Sequence, residues 1–231
     1  MFLTRLTTVI TLSLFSWLPC RIMHHTMIIT PITNSEKQMS LSFLMMKNGL
    51  SIATSKALIL QIKLTEDFLN QLNSMDKPIT VIFYGDHLPG IYTTAASDKD
   101  NTTVLHETDY FIWSNQASAS ASIKLDQQTS NYTSSNYFMA LAAEYMNAKI
   151  SPYLEMLTQT QTQIPTISRL VSSNNSWGDG SATYLDANGN RIKRKDLSQK
   201  AKQLLDDYRL VQYDMTKGKS YLNDYDFFAV Q

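Results

Sequence analysis

The residues best suited to chemistry are Asp86 and His87, which follow the run ITVIFY at 79–84 after a single glycine, Gly85. A carboxylate oxygen and an imidazole nitrogen on adjacent residues can hold one divalent cation, Zn²⁺ or Mn²⁺. Six β-branched and aromatic residues in a row read as a strand buried on both faces, as in a parallel sheet. Sites in open α/β sheets gather at the carboxyl ends of strands, which is where the pair falls. Gly85 is expected to let the chain turn sharply, and Leu88-Pro89 to stiffen the exit. An isolated Asp-His pair is more often a packed histidine beside a turn-capping aspartate, so spacing alone leaves both uses open. Among other candidates, His106-Glu107 precede the apolar run YFIW at 110–113. His106 there is a candidate substrate contact, and a solvated pair is the plainer use. His24-His25 stand in unpatterned sequence and carry no assignment. Asp186, Asn188 and Asn190 around Gly189 imitate half of a calcium loop, but no acidic residue closes it, so a hairpin is expected instead. Lys193-Arg194-Lys195 is too short a basic run to bind lipid headgroups.

The elements that must position the pair become regular from Lys63. Leu64, Phe68, Leu69, Leu72 and Met75 recur at three and four residues and give one apolar helix face. Asp76-Lys77-Pro78 ends that helix, since proline disfavours helix at the residue before it. The strand at 79–84 follows, then a second strand at 110–113 ending in Ser114-Asn115. The Ser, Ala, Thr, Gln and Asn residues of 116–135 read as a surface loop. Helices are expected over 137–147, with Phe138, Leu141, Ala142 and Tyr145 on one face, and over 152–161, with Pro152 at its start. A hairpin over 184–192, a charged helix over 200–209 and a last short strand at 210–213 complete the series. Helices alternating with buried strands place the chain in the α/β class.

Composition narrows the function classes. Lys+Arg and Asp+Glu are both 20, and that zero net charge favours no nucleic-acid partner. One cysteine, Cys20, excludes an intrachain disulfide and a cysteine-based zinc site. Residues 6–19 are mostly apolar behind Arg5, which is short for a bilayer span and long enough for a signal-peptide core. A hydrophobic start without a targeting role, or a helix over 6–19, fits them as well. Residues 1–62 show no clear period after residue 20 and are expected to be an irregular segment outside the sheet. The strand at 79–84 would then lack a partner on one side.

Four segments, in order, carry a resemblance: VIFYGDHLPG at 81–90, HETDYFIWSN at 106–115, SPYLEML with QIPTIS across 151–168, and DYRLVQYDMTKGKSYL at 207–222. Together they resemble the C-terminal part of lipoteichoic-acid-synthase-like phosphoglycerol transferases, in the alkaline phosphatase/sulfatase superfamily. The resemblance covers roughly 63–222 and implies a partial alkaline-phosphatase/sulfatase-like α/β fold with a mixed sheet and flanking helices over 63–231. It implies Asp86 and His87 as metal ligands, with manganese the usual metal and magnesium or zinc the alternatives. It also implies transfer of glycerophosphate from phosphatidylglycerol to a cell-envelope acceptor at the outer face of the cell membrane. Family chemistry uses a threonine nucleophile and an acidic metal ligand far upstream of the Asp-His strand, and neither is identified here. The abrupt start of the resemblance near Lys63 reads as a frameshift, an alternative start or a gene fragment, inactive by itself. The alternatives are a metal-dependent phosphodiesterase or sulfatase-type hydrolase, with a local hydroxyl such as Thr93 as nucleophile, and a non-catalytic cell-surface binding module.

Overall fold

The structure is a computed structural model that describes residues 8–13, 28–31, 52–85, 103, 106–168 and 182–230. Helix α1 spans Ile52–Asn73 and strand β3 spans Ile79–Tyr84. The helix thus begins upstream of the predicted face, and only part of that face is covered. Phe68, Leu69 and Leu72 pack on Ile79, Val81 and Phe83 of β3. Leu64 and Met75 are 57% and 48% exposed and take no part in that cluster.

Asn115 closes the junction between helix and strand. Its buried side chain donates to the carbonyls of Leu72 and Lys77 at 3.0 and 2.9 Å, and its Oδ1 accepts from Ile79 N–H at 3.0 Å. It therefore ties the last turn of the helix and the Lys77 carbonyl of the connection to the first amide of β3.

β3 is buried along its whole length apart from Tyr84, as expected for a central strand. Strand β4, Glu107–Ser114, pairs with it antiparallel, Tyr84 opposite Tyr110 and Val81 opposite Trp113. Strand β1, Thr8–Ser13, pairs with its other side in parallel, Thr8 opposite Ile79 and Ser13 opposite Tyr84. Strand β2, Ile28–Pro31, runs parallel to β4 and antiparallel to the short strand β5, Thr133–Ser134. The sheet order is β1-β3-β4-β2-β5, a mixed sheet of α/β type. The expected exclusion of residues 1–62 from the sheet is therefore corrected at Thr8–Ser13 and Ile28–Pro31. The helix considered over 6–19 is a strand at 8–13, and the neighbour position of β3 is filled. Thr8, Val9, Ile10 and Thr11 are β-branched, which favours the extended chain.

The opposite face of the sheet packs Ile82 and Tyr110 on Phe138, Leu141 and Ala142. The last three lie on helix α3, Phe138–Tyr145, which follows the single-turn helix α2, Gln127–Ser130. The segment between β4 and α3 is not simply a surface loop, since Ser118, Ser120, Ser130, Thr133 and Ser134 are buried. Their hydroxyls find partners: Ser118 with Ser120 at 2.9 Å, Ser130 with the Asp126 carbonyl at 2.7 Å, and Ser134 with Asn136 Oδ1 at 2.6 Å. Small polar side chains are accepted in a core when their hydrogen bonds close locally.

A second sheet is antiparallel, β6-β7-β8, formed by Thr166–Ser168, Thr183–Leu185 and Arg191–Ile192. Ile167 N–H donates to Ser134 Oγ at 3.1 Å and links it to the first sheet. Helix α4, Pro152–Gln163, starts at Ser151, whose side chain accepts from Leu154 N–H. Helix α5, Gln199–Thr216, covers the second sheet through Ala201 and Leu205 against Ile164 and Tyr184. The strand expected at 210–213 is corrected, because those residues are the last turns of α5. Ala201, Leu204, Leu205 and Val211 are buried at helical spacing, while Leu210 and Tyr213 are exposed. The hairpin forms as expected, with Gly189 at φ +80° in its turn.

Candidate functional site

The candidate site lies where β3 ends and β4 begins. Because the two strands are antiparallel with Tyr84 opposite Tyr110, residues 106–109 lie at the sheet end to which β3 delivers Gly85. Gly85 N–H donates to the Asp109 carbonyl at 3.2 Å. Thr108 leaves no room for a side chain there: a β-carbon on Gly85 would overlap Thr108 Oγ1 and stand 3.2 Å from Thr108 Cβ. Gly85 is absent from the positive-φ glycines among the described residues, and it serves close approach of two strands; the turn expected after it falls on residues outside the described ones. Asp86, His87 and the alternative nucleophile Thr93 lie outside the described residues, as do His24 and His25.

His106 forms a half-buried turn at the entrance to β4, its N–H bonded to the Thr103 carbonyl at 3.0 Å. Glu107 beside it is also half-buried. Tyr132 hydrogen-bonds to Glu107, and its phenol is pushed up first by burial and then by the charge and hydrogen bond of that carboxylate. The Tyr132 ring lies against Gly189 of the hairpin, where an added β-carbon would be 2.6 Å from the ring. Arg191, two residues on, donates from Nε and Nη2 to Thr103 Oγ1 at 2.8 and 2.6 Å.

Thr103, Thr108, Tyr132 and Arg191 went unrecognised in the sequence. Gly85 was the only signal pointing to any of them, and the identity of its neighbour depends on strand register. The remaining sequence candidates have structural uses. Asp186 accepts from the backbone of Asn188 and Asn190 at 2.8 and 2.9 Å, and from the Asn190 side chain at 3.1 Å. Its slight burial raises its pKa, yet those three bonds together hold it below the ordinary aspartate value. Its carboxylate is spent on the hairpin, as the hairpin expectation required. Arg194 pairs with Asp206 at 3.0 Å.

Among the described residues, no three His, Cys, Asp or Glu side chains are grouped to hold a metal ion. The described side chains of this rim thus do not make a metal centre by themselves, and no chemical step is routed through one. Among the described residues no helix is long and apolar enough to cross a membrane.

Residues 63–148 match the Sulfatase family model, a stretch running from α1 through β3 and β4 to just past α3. No curated protein matches the chain. Among solved structures, the Streptococcus pyogenes phosphoglycerol transferase GacH in complex with sn-glycerol-1-phosphate is similar at 30% identity and a TM-score of 0.49. That match covers 73% of this chain and 36% of the streptococcal one, so the chain spans about a third of that relative. Residues 63–148 are therefore similar to the sulfatase family, and that is the stretch that carries β3 and β4.

Proposed function

We infer that this chain carries the Asp-His metal-ligand strand of a metal-dependent phosphoglycerol transferase, acting on a glycerophosphate-bearing lipid such as phosphatidylglycerol. The observation that carries this is GDH at 85–87 directly after the buried central strand, within the stretch that matches the sulfatase family. Asp86 and His87 are proposed as two ligands of one divalent cation, Mn²⁺ first, with Mg²⁺ and Zn²⁺ as alternatives. Their oxygen and nitrogen donors suit all three to different degrees. Such an ion would supply Lewis-acid polarisation of a phosphoryl oxygen. What this chain contributes is position: Thr108 and the Asp109 carbonyl hold Gly85, and Gly85 leads directly into the pair. His106 is proposed as a substrate contact at the same rim, and the outer face of the cell membrane as the place of action.

A sulfatase-type hydrolase is the second reading, favoured by the name of the matching family model. Turnover of phosphatidylglycerol by the chain alone is expected to be low, because no nucleophile is identified in it. Robust Mn²⁺-dependent turnover that Thr93→Ala abolishes would favour the hydrolase. The direct test is binding of sn-glycerol-1-phosphate, followed by ³¹P line broadening with and without Mn²⁺. Metal-dependent binding that His87→Ala removes is expected. Binding of equal strength without metal and in His87→Ala would contradict the inference.

A further inference from the structure

The hairpin of the second sheet reaches the candidate site from outside the family-matched stretch, at two points. Arg191 donates two N–H groups to Thr103 Oγ1, bridging 88 positions of sequence. Gly189 seats the ring of Tyr132, and its φ of +80° together with the 2.6 Å approach admits no other side chain without strain. From Thr103 the contacts continue unbroken. The Thr103 carbonyl accepts from His106 N–H, His106 leads directly into β4, and Thr108 and Asp109 of β4 hold Gly85.

We propose that the hairpin is a clasp that fixes the end of β3, with Arg191 a positioning residue that acts through Thr103 and β4 on Gly85 and the Asp86-His87 pair. This rests on the function inferred above. The physical case is one of scale. A hydrogen bond between exposed groups adds little to global stability. The same bond placed at the mouth of a strand removes local freedom where the chain would otherwise fray. The guanidinium suits the role, since its two N–H groups converge on one oxygen and define direction as well as distance. A lysine would define only distance.

Hydrogen exchange at the Gly85 amide of the full chain is the test, with the Leu141 amide in the core as internal reference. Arg191→Gln and Thr103→Val are each expected to speed Gly85 exchange about fivefold, the double variant no more than either, and Leu141 not at all. Arg191→Lys, which keeps a donor, should recover part of the protection. Unchanged Gly85 exchange in either single variant, additive effects, or equal acceleration at Leu141 would overturn the clasp. Mn²⁺ titration in parallel separates this from the underlying function. A wild-type chain that binds no Mn²⁺ removes the inferred metal site and leaves the exchange data to decide the clasp. Where wild type binds, Arg191→Gln should weaken Mn²⁺ about fivefold, and unchanged affinity overturns the positioning role.

Discussion

At the scale of single residues, Gly85 fixes the site end of β3 and Asn115 fixes its opposite end. Gly85→Ala should destabilise the chain by about 1–3 kcal/mol, because the added methyl meets a side chain on a paired strand. Thr108→Ala in the same molecule should restore most of that loss, and urea midpoints of the two variants and the double decide it. A neutral Gly85→Ala would mean that the strands do not approach as described. Asn115→Ala should cost about 3 kcal/mol or more by the same measurement, since several buried backbone groups lose their partner together. Tyr110 adds a pH dependence. Burial raises its pKa most, against a smaller lowering by the Ser130 side chain, and its hydroxyl donates to the Ser130 carbonyl, a bond that only the protonated phenol can make. A group whose folded pKa is raised holds its proton longer folded than unfolded. The stability tied to neutral Tyr110 is therefore complete below the unfolded value, near pH 10, and is lost as pH rises above it. Stability should fall by about 1.4 kcal/mol per pH unit for this group above roughly pH 10, and Tyr110→Phe should remove that share of the slope.

At the scale of elements, β1 carries the largest difference between sequence and structure. An apolar run with Thr, Val and Ile is compatible with a helix, a leader or a strand, and periodicity over so few residues does not separate them. Its β-branched residues were the available signal, and the partner that makes it a strand lies about seventy positions away. β3, β4, α3 and α4 were legible because each carries its own buried pattern and its own stop signal, such as Pro78 or Ser151-Pro152. Thr108 was not legible at the site, because its contact with Gly85 exists only in the antiparallel register. The buried serines of the segment after β4 misled for a related reason: a hydroxyl counts as polar in sequence and as neutral once its bond is closed. A chain shortened to begin at Lys63 should lose both β1 and β2 and expose the edge of β3. It is expected to aggregate under conditions where the full chain is soluble, as size-exclusion chromatography with light scattering would register. A shortened chain that stays monomeric and equally stable would show that β1 adds nothing to the sheet.

At the scale of the whole molecule, the family-matched stretch supplies the central helix, the central strand and its antiparallel neighbour. The second sheet lies outside that stretch and meets it through Ser134, Thr103 and Tyr132. In the function and clasp proposed above, the first sheet leads through Gly85 to Asp86 and His87, and the second steadies that point. The central claim is that this pair binds a divalent cation at the end of β3. Mn²⁺ titration of the full chain by calorimetry tests it most directly, with unfolding midpoints recorded for every variant. One ion per wild-type chain is expected, with affinity lowered about tenfold or more in both Asp86→Asn and His87→Ala while the midpoints in metal-free buffer stay unchanged. Equal Mn²⁺ affinity in wild type and both variants would contradict the account.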